Sequence, residues 1–135
     1  MKEFGLSKKE RIKSKKRFEQ VYSEGRTLFS QNRALKATFY VEECKINPLV
    51  QVAFAVHKKS GNAVWRNRVK RLLRESFRLN KKVIVSESNL YKKCVYIVFA
   101  GNRINRKANR KLYLKDIEPE VKDLLNKITR EIKNA

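Results

Sequence analysis

Residues 58–78 carry side chains whose types and spacing suit the binding of a polyanion. The segment contains eight lysines and arginines and a single acid, Glu75. A glycine turn at 60–62 opens it, and the residues that follow have the periodicity of a helix with one cationic side. Like charges at i,i+4 repel one another on an isolated helix, and contact with phosphates would offset that cost. The charges stacked in this way are Arg66, Lys70, Arg74 and Arg78.

The opposite side of the same helix can pack on a core. It is formed by Trp65, Val69, Leu72, Leu73 and Ser76. A run of charge is ordinarily a solvated helix face, but such a face mixes both signs and this one does not. The pattern therefore favours contact with RNA or DNA. At the turn before the helix, Lys58, Lys59 and Gly61 either cradle a phosphate or form an ordinary turn, and the sequence leaves both open.

Two aromatic residues one helical turn apart, Phe18 and Tyr22, are a second candidate binding feature. Such a pair usually belongs to a core, and the residues alone favour that interpretation. Three cations precede the pair, at Lys15, Lys16 and Arg17. The two rings could therefore form a platform on which unpaired bases stack.

The groups that catalysis or metal binding would need do not occur in a recognisable pattern. His57 is the only histidine, and it has no evident nucleophile or orienting carboxylate as a partner. One histidine and two scattered cysteines do not make a zinc site. The acids at 116, 118 and 120 are typical of a helix N-terminus. We therefore predict no catalytic residue and no metal ion bound by the chain itself.

The composition also indicates a nucleic-acid partner. Lysine and arginine outnumber the acids by 34 to 13, a formal net charge of +21 over 135 residues. Such a charge destabilises a compact state unless a polyanion neutralises it.

The length predicts a single domain over 1–135, with a basic arm at 1–13 that is mobile at its start. Cys44 and Cys94 could pair in principle, but we expect two free thiols in a reducing cytoplasm. We expect neither a membrane span nor a secretory signal.

The first half of the chain has signals for one helix and two strands. Ser14 caps a first helix, which ends at Gly25. Residues 26–33 are ambiguous. Alternation predicts a half-buried strand over 34–43 and a second strand over 50–58, and their short connection suggests an antiparallel pair.

The second half completes a small single-domain α+β sandwich. The basic helix is predicted over about 62–80, and the continuous apolar run 94–100 is typical of a central strand covered on both faces. Residues 101–115 allow a short helix, and an amphipathic C-terminal helix has Pro119 in its first turn. The predicted order is helix, strands, helix, strand, helix, with a mixed sheet of about four strands.

The basic segment resembles a known motif along its whole length. It reads Lys58-Lys59-x-Gly61-Asn62-Ala63-Val64-x-Arg66-Asn67-Arg68-x-Lys70-Arg71-x-x-Arg74-Glu75-x-Phe77-Arg78. This order is similar to the RNR motif of the bacterial ribonuclease P protein component. Residues 11–25 resemble the first helix of that family, with its spaced aromatic pair. The resemblance covers most of residues 8–130.

The resemblance implies a part in the ribonucleoprotein that removes the 5′ leader from precursor tRNA. In that family the RNA subunit carries the active site and its Mg²⁺ ions, so the chain itself would be non-catalytic. Its partners would be the catalytic RNA and precursor tRNA, in the cytoplasm, with no membrane and no obligate protein partner. The resemblance implies that eight residues contact the catalytic RNA: Lys58, Lys59, Arg66, Asn67, Arg68, Lys70, Arg71 and Arg74. It also implies that four residues contact the leader: Phe18, Tyr22, Lys36 and Thr38. This replaces the assignment of Phe18 and Tyr22 to the core.

Two other functions fit parts of the sequence. A ribosomal or other structural RNA-binding protein fits the composition equally well, and the spacing of the motif favours ribonuclease P. A helix-turn-helix DNA regulator would need two helices packed around a glycine turn, whereas here a strand precedes the basic helix. The basic segment 101–115 receives no role from the resemblance.

Overall fold

The computed structural model describes residues 8–134, which form four helices and four strands with two short 3-10 turns. The elements are α1 (Lys15–Glu24), β1 (Arg26–Phe29), β2 (Leu35–Glu43), β3 (Val50–Ala55), α2 (Ala63–Asn80), α3 (Lys82–Tyr91), β4 (Lys93–Gly101) and α4 (Leu114–Asn134), with 3-10 turns at Lys8–Glu10 and Lys58–Ser60. The predicted α+β class with a mixed four-stranded sheet is confirmed. No helix within residues 8–134 combines the length and the apolar character needed to cross a membrane.

The sheet has the order β1-β2-β4-β3. β2 is antiparallel to both β1 and β4, and β3 is parallel to β4. The predicted antiparallel pairing of the strands at 34–43 and 50–58 is therefore wrong, because β4 lies between them. Because β4 is apolar at almost every position, it is most stable in the centre of the sheet. The connection 44–49 therefore crosses the width of β4 to reach β3. The Val95 amide donates to the Leu49 carbonyl at 2.9 Å at this crossing.

The pairing of β2 with β4 also decides the state of the cysteines. The register places Glu42 opposite Cys94, and Cys44 follows just beyond the end of β2. The two Cα atoms are 5.5 Å apart, and the sulfur atoms form a disulfide. The expectation of two free thiols is wrong in this structure, because the antiparallel ladder brings together two residues that are 50 positions apart in sequence.

Both faces of β4 are buried, as the continuous apolar run predicts. On one face, α2, α3 and α4 enclose the main core, in which Phe77 and Phe99 have ring centroids 6.0 Å apart. On the other face, α1 contributes Val21 to a smaller cluster with Tyr96 and Val98. The sheet thus separates α2, α3 and α4 on one face from α1 on the other. The candidate binding residues lie at the edges of these two layers.

The predicted basic arm covers residues 1–13, and its first seven residues, 1–7, lie outside the described residues. The described part packs on the sheet. Arg11 forms a bridge to Val52, and the Ile12 amide donates to the Val52 carbonyl at 3.0 Å. The side chain of Ile12 is buried in the cluster beneath α1, so apolar contact holds this end of the chain against β3.

The caps predicted for α1 are confirmed. The Ser14 hydroxyl accepts from the Arg17 amide at 3.3 Å, and the Gly25 amide donates to the Val21 carbonyl at 2.9 Å. Gly25 lies so close to the Phe39 carbonyl that a Cβ would collide with it. The residue that ends α1 must therefore be glycine for the helix to approach β2.

Several boundaries differ from the sequence prediction. α4 begins at Leu114 instead of near Pro119, because the Asp116 carboxylate accepts from the Tyr113 amide at 2.9 Å and starts the helix earlier. β1 forms within the ambiguous segment, β3 ends at Ala55, and α3 lies in a stretch to which the sequence assigned no element. The short helix allowed within 101–115 is absent: Gly101 ends β4, residues 102–113 form a loop, and α4 begins at Leu114.

Candidate nucleic-acid interface

The cationic helix has the two-sided character that its periodicity predicts. Its buried residues are Trp65, Val69, Leu73, Ser76 and Phe77, and they pack against α4 and the sheet. Leu72 is only half-buried. Asn67 and Arg71 are exposed, and Lys70 and Arg74 are partly exposed. Because the apolar side is fixed in the core, the cationic side is held towards solvent along the length of α2.

Two of the predicted RNA-binding arginines also make structural contacts. The Arg66 Nε donates to the Gly61 carbonyl at 3.1 Å. The Arg68 Nε and Nη2 donate to the Leu112 carbonyl at 3.0 and 2.7 Å. Each guanidinium has five N–H donors, so both keep donors for a ligand. Lys70, Arg71 and Arg74 form no ion pair or side-chain hydrogen bond within residues 8–134.

The turn before α2 presents Lys58 and Lys59 to solvent. The Lys59 amide donates to His57 Nδ1 at 3.1 Å, and the Ser60 amide donates to the His57 carbonyl at 3.0 Å. These two amides are therefore occupied within the turn, which favours the ordinary turn over the phosphate cradle. The groups that this turn leaves available to a ligand are therefore the side chains of Lys58 and Lys59.

Gly61 is required at this turn because of its neighbours. Its backbone is extended, at φ 173°, a conformation that any residue adopts. A Cβ there would lie 2.8 Å from the Trp65 ring and 2.9 Å from Arg106 Cβ. Glycine at 61 therefore lets the basic segment 101–115 approach the start of α2.

An open cleft of about 370 Å³ lies between α1 and the sheet. It is lined by Tyr22, Thr27, Lys36, Thr38, Ala55, Val56, His57, Val98, Ala100 and Gly101. Three of the four predicted leader-binding residues meet here: Tyr22, Lys36 and Thr38. Tyr22 is 57% exposed. Partial burial raises the pKa of its phenol above the ordinary value for tyrosine.

The structure separates the two aromatic residues of α1. Phe18 does not line the cleft; it is half-buried and packs against the cluster that contains Ile12 and Val21. Tyr22 lies one turn further along, where that cluster ends and the cleft begins. Thr38 is mostly buried on the cleft floor, and its hydroxyl lies 3.0 Å from that of Thr27.

Arg17, Glu42 and Tyr96 fix α1 against the sheet, a structural role that the sequence analysis assigned to none of them. The Arg17 guanidinium lies 4.0 Å above the centre of the Tyr96 ring, and its Nη1 is 3.4 Å from the Glu42 carboxylate. The Tyr96 hydroxyl donates to the same carboxylate at 3.1 Å. Burial and this hydrogen bond raise the pKa of Tyr96. Only the pairing of β2 with β4 brings these groups together, and no local signal in the sequence points to them.

The α2 surface and the cleft adjoin each other. His57 lines the cleft and caps the turn that carries Lys58 and Lys59, and α2 starts three residues after that turn. The position of His57 directly before the motif could have indicated that it lies near the binding site. Thr27 lies on β1, a strand that the sequence analysis did not predict, so no signal pointed to it. Within residues 8–134, no group of three histidine, cysteine or acidic side chains is arranged to hold a metal ion.

Comparison with known proteins gives a consistent result. The family model described as Ribonuclease P matches residues 6–129. The ribonuclease P protein component of Clostridium botulinum is 38% identical over 120 residues, which cover 89% of this chain and 95% of that protein. That of Syntrophus aciditrophicus is 42% identical over 81 residues, 60% of this chain and 64% of that protein. The structure of the RNase P protein from Thermotoga maritima superposes with a TM-score of 0.64 at 26% identity, over 90% of this chain and 96% of that one.

A basic α+β domain with a cationic helix beside an aromatic-edged cleft has the features of a nucleic-acid-binding protein. The family match covers most of the chain, and the chain therefore belongs to the ribonuclease P protein family. Its role is that of the protein component of ribonuclease P, in the maturation of tRNA 5′ ends.

The different burial of the two α1 aromatics predicts different effects on stability. Phe18→Ala should lower the free energy of unfolding by about 1–3 kcal/mol, less than the ~3–5 kcal/mol of a fully buried phenylalanine. Tyr22→Ala should change it by no more than about 0.5 kcal/mol, because the ring is mostly exposed. Urea unfolding of both variants measures this. Equal losses would show that Tyr22 belongs to the core.

Proposed function

We propose that the chain binds the RNA subunit of ribonuclease P through the cationic face of α2 and the adjoining turn, and the 5′ leader of precursor tRNA through the cleft. The observation that carries this proposal is the row Lys70, Arg71 and Arg74, which has no internal ion partner within residues 8–134 and is held outward by the buried side of α2. Cations arranged in this way release counterions from a nucleic-acid backbone when they bind it.

The composition of the α2 surface suits RNA in particular. Arginine can donate two parallel hydrogen bonds to one phosphate. Asn67 is exposed between Arg66 and Arg68, and its amide can both donate and accept. Such a group suits the 2′-hydroxyl, which is also a donor and an acceptor. With Lys58 and Lys59 on the adjacent turn, all eight residues assigned by the family resemblance can contribute to one surface.

The cleft has the character of a single-strand site. Tyr22 supplies an exposed ring at its edge, Lys36 supplies a cation, and Val98 and Ala100 supply an apolar floor. A ring on which a base stacks is sequence-tolerant, because every base has a π-face. This suits a leader whose sequence differs from one precursor tRNA to another. Phe18 packs against the apolar cluster beside the cleft and is not itself a stacking residue in this proposal.

The chemistry of cleavage is assigned to the RNA subunit. Among the described residues, 8–134, neither surface has an arrangement of acid, base and nucleophile, and His57 accepts a hydrogen bond at Nδ1 within the turn. The Mg²⁺ ions of the reaction are then held by the RNA. The proposed setting is the cytoplasm, with no obligate protein partner, where a reducing environment would convert the Cys44–Cys94 bond to two adjacent thiols.

Reconstitution tests this division of labour. With precursor tRNA, a bacterial ribonuclease P RNA and Mg²⁺, the chain should increase 5′ cleavage most strongly at low Mg²⁺, because its cations partly replace screening ions. The RNA-free chain should not cleave. Mg²⁺-dependent cleavage by RNA-free chain would refute the assignment of catalysis to RNA. RNA binding without any effect on cleavage would favour a structural RNA-binding protein.

Charge removal on α2 tests the first surface. Lys70→Gln with Arg74→Gln should weaken binding to the RNA subunit and reduce the log–log salt slope by about 1.4–1.8, at about 0.7–0.9 per lost phosphate contact. The matched control is Lys122→Gln with Arg130→Gln, which removes the same charges from exposed positions on α4. Titrations of labelled RNA at several salt concentrations measure both. Equal slopes for the two double variants would show that the α2 face is only solvated.

Leader dependence tests the cleft. Tyr22→Ala should weaken binding of precursor tRNA to the holoenzyme by about fivefold or more, since a stacked base contributes ~1–3 kcal/mol. Binding of leaderless tRNA should be unchanged. Tyr22→Phe keeps the ring and should bind as the unmodified chain does. A loss that is independent of the leader, or a loss in Tyr22→Phe equal to that in Tyr22→Ala, would contradict stacking at this position.

A further inference from the structure

The loop between β4 and α4, residues 102–113, carries a dense positive charge that neither surface described above uses. Its cations are Arg103, Arg106, Lys107, Arg110 and Lys111, and all five are exposed. No acid occurs in the sequence between Glu87 and Asp116. Within residues 8–134, none of the five forms an ion pair. The loop therefore concentrates like charge without internal compensation.

The loop is nevertheless fixed in place. Ile104 and Leu112 are buried in the main core and anchor its two ends. Between them, the Asn105 Oδ1 accepts from the Ala108 amide at 2.8 Å, and the Asn109 Oδ1 accepts from the Asn105 amide at 3.1 Å. These side-chain bonds satisfy the backbone without a helix. The charged positions are thus held in a defined geometry.

The loop is also attached to the start of α2. The Arg106 amide donates to the Ser60 carbonyl at 2.7 Å, and the indole N–H of Trp65 donates to the Asn109 carbonyl at 3.0 Å. The Arg68 guanidinium donates to the Leu112 carbonyl. Residues within the basic motif therefore dock the loop, so the motif both carries charge and positions further charge.

Docking creates an open groove of about 510 Å³ at the junction. It is lined by Ser60, Gly61, Asn62, Arg106, Lys107 and Arg110. Three of the six lining residues are cations and none is an acid. Ser60, the last residue of the turn that carries Lys58 and Lys59, lines the groove. The groove thus continues the positive surface from the turn and α2 onto the loop.

We propose that residues 102–113 form an additional contact with the RNA subunit, in which Lys107 and Arg110 bind its phosphate backbone in this groove. The proposal rests on the proposed function, because it takes the RNA subunit as the partner. Phosphates are the fitting ligand, because the groove offers ammonium and guanidinium groups and no aromatic ring for stacking. The exposed ring of Tyr113, at the end of the loop, does not line the groove and lies beside Arg68 and Lys115, at 5.8 and 5.7 Å.

The uncompensated charge supports this assignment. Five exposed cations in one ordered loop repel one another, and a polyanion in the groove relieves that repulsion. A loop that served only to connect β4 to α4 would need neither the charge nor the three attachments to the basic motif. The docked geometry also lowers the entropic cost of binding, because the cations are ordered before the RNA arrives.

The test uses the full chain and the isolated RNA subunit of a bacterial ribonuclease P. Lys107→Gln with Arg110→Gln should weaken binding about tenfold or more near 0.1 M salt and reduce the salt slope by about 1.4–1.8. Lys122→Gln with Arg130→Gln is the control with the same charge loss. Lys107→Arg with Arg110→Lys keeps the charge and should bind almost normally. Circular dichroism should show unchanged folding, because both side chains are exposed.

The outcomes separate this inference from the function on which it rests. If the unmodified chain binds the RNA subunit and the α2 double variant is weakened, the proposed function stands. A loop variant that then behaves as the α4 control would overturn the inference alone. A loss that appears only when precursor tRNA is present would also overturn it, because the loop would then contact the substrate. If the unmodified chain binds no RNA subunit, both proposals fail.

Discussion

Burial of β4 on both faces is the constraint on which the rest of the structure depends. The strand pairs with β2 on one side and β3 on the other, so its backbone is satisfied and its side chains alternate between two cores. One core holds α2 and α4, and the other holds α1. Because both layers pack on the same strand, the cationic face of α2 and the edge of the cleft at Tyr22 have fixed relative positions.

Charge is the second constraint, and the fold distributes it unevenly. Most ion pairs of the described residues involve acids that lie away from the binding surfaces and link neighbouring elements. Those that join different elements include Arg17–Glu42, Arg26–Glu131, Lys81–Glu10 and Lys133–Glu87. The most exposed of these pairs, Arg26–Glu131, contributes little stability, about 0–1 kcal/mol. The larger effect of these ion pairs is on the distribution of charge over the surface. They leave α2 and the loop 102–113 cationic, and the one exception on α2 is the Arg78–Glu75 pair.

The junction at residues 55–62 connects the binding surfaces. Ala55 and His57 line the cleft, the lysine turn follows, and Gly61 admits the loop to the start of α2. One short segment therefore borders the proposed leader site, the RNA-subunit surface and the additional groove. A ligand that bridges these surfaces would meet an almost continuous positive path, because the single acid of residues 58–78, Glu75, lies in the last turns of α2.

The sequence by itself determined the features that depend on local periodicity: the two sides of α2, the caps of α1 and the central position of the strand at 94–100. Through the family resemblance it also placed Phe18, Tyr22, Lys36 and Thr38 together, and the structure brings all of these except Phe18 to the cleft. Tertiary structure alone decided the order of the strands, the Cys44–Cys94 bond, the Arg17 contact and the docking of the loop. These depend on which distant segments pair, and pairing is set by the total burial of the sheet rather than by any local pattern.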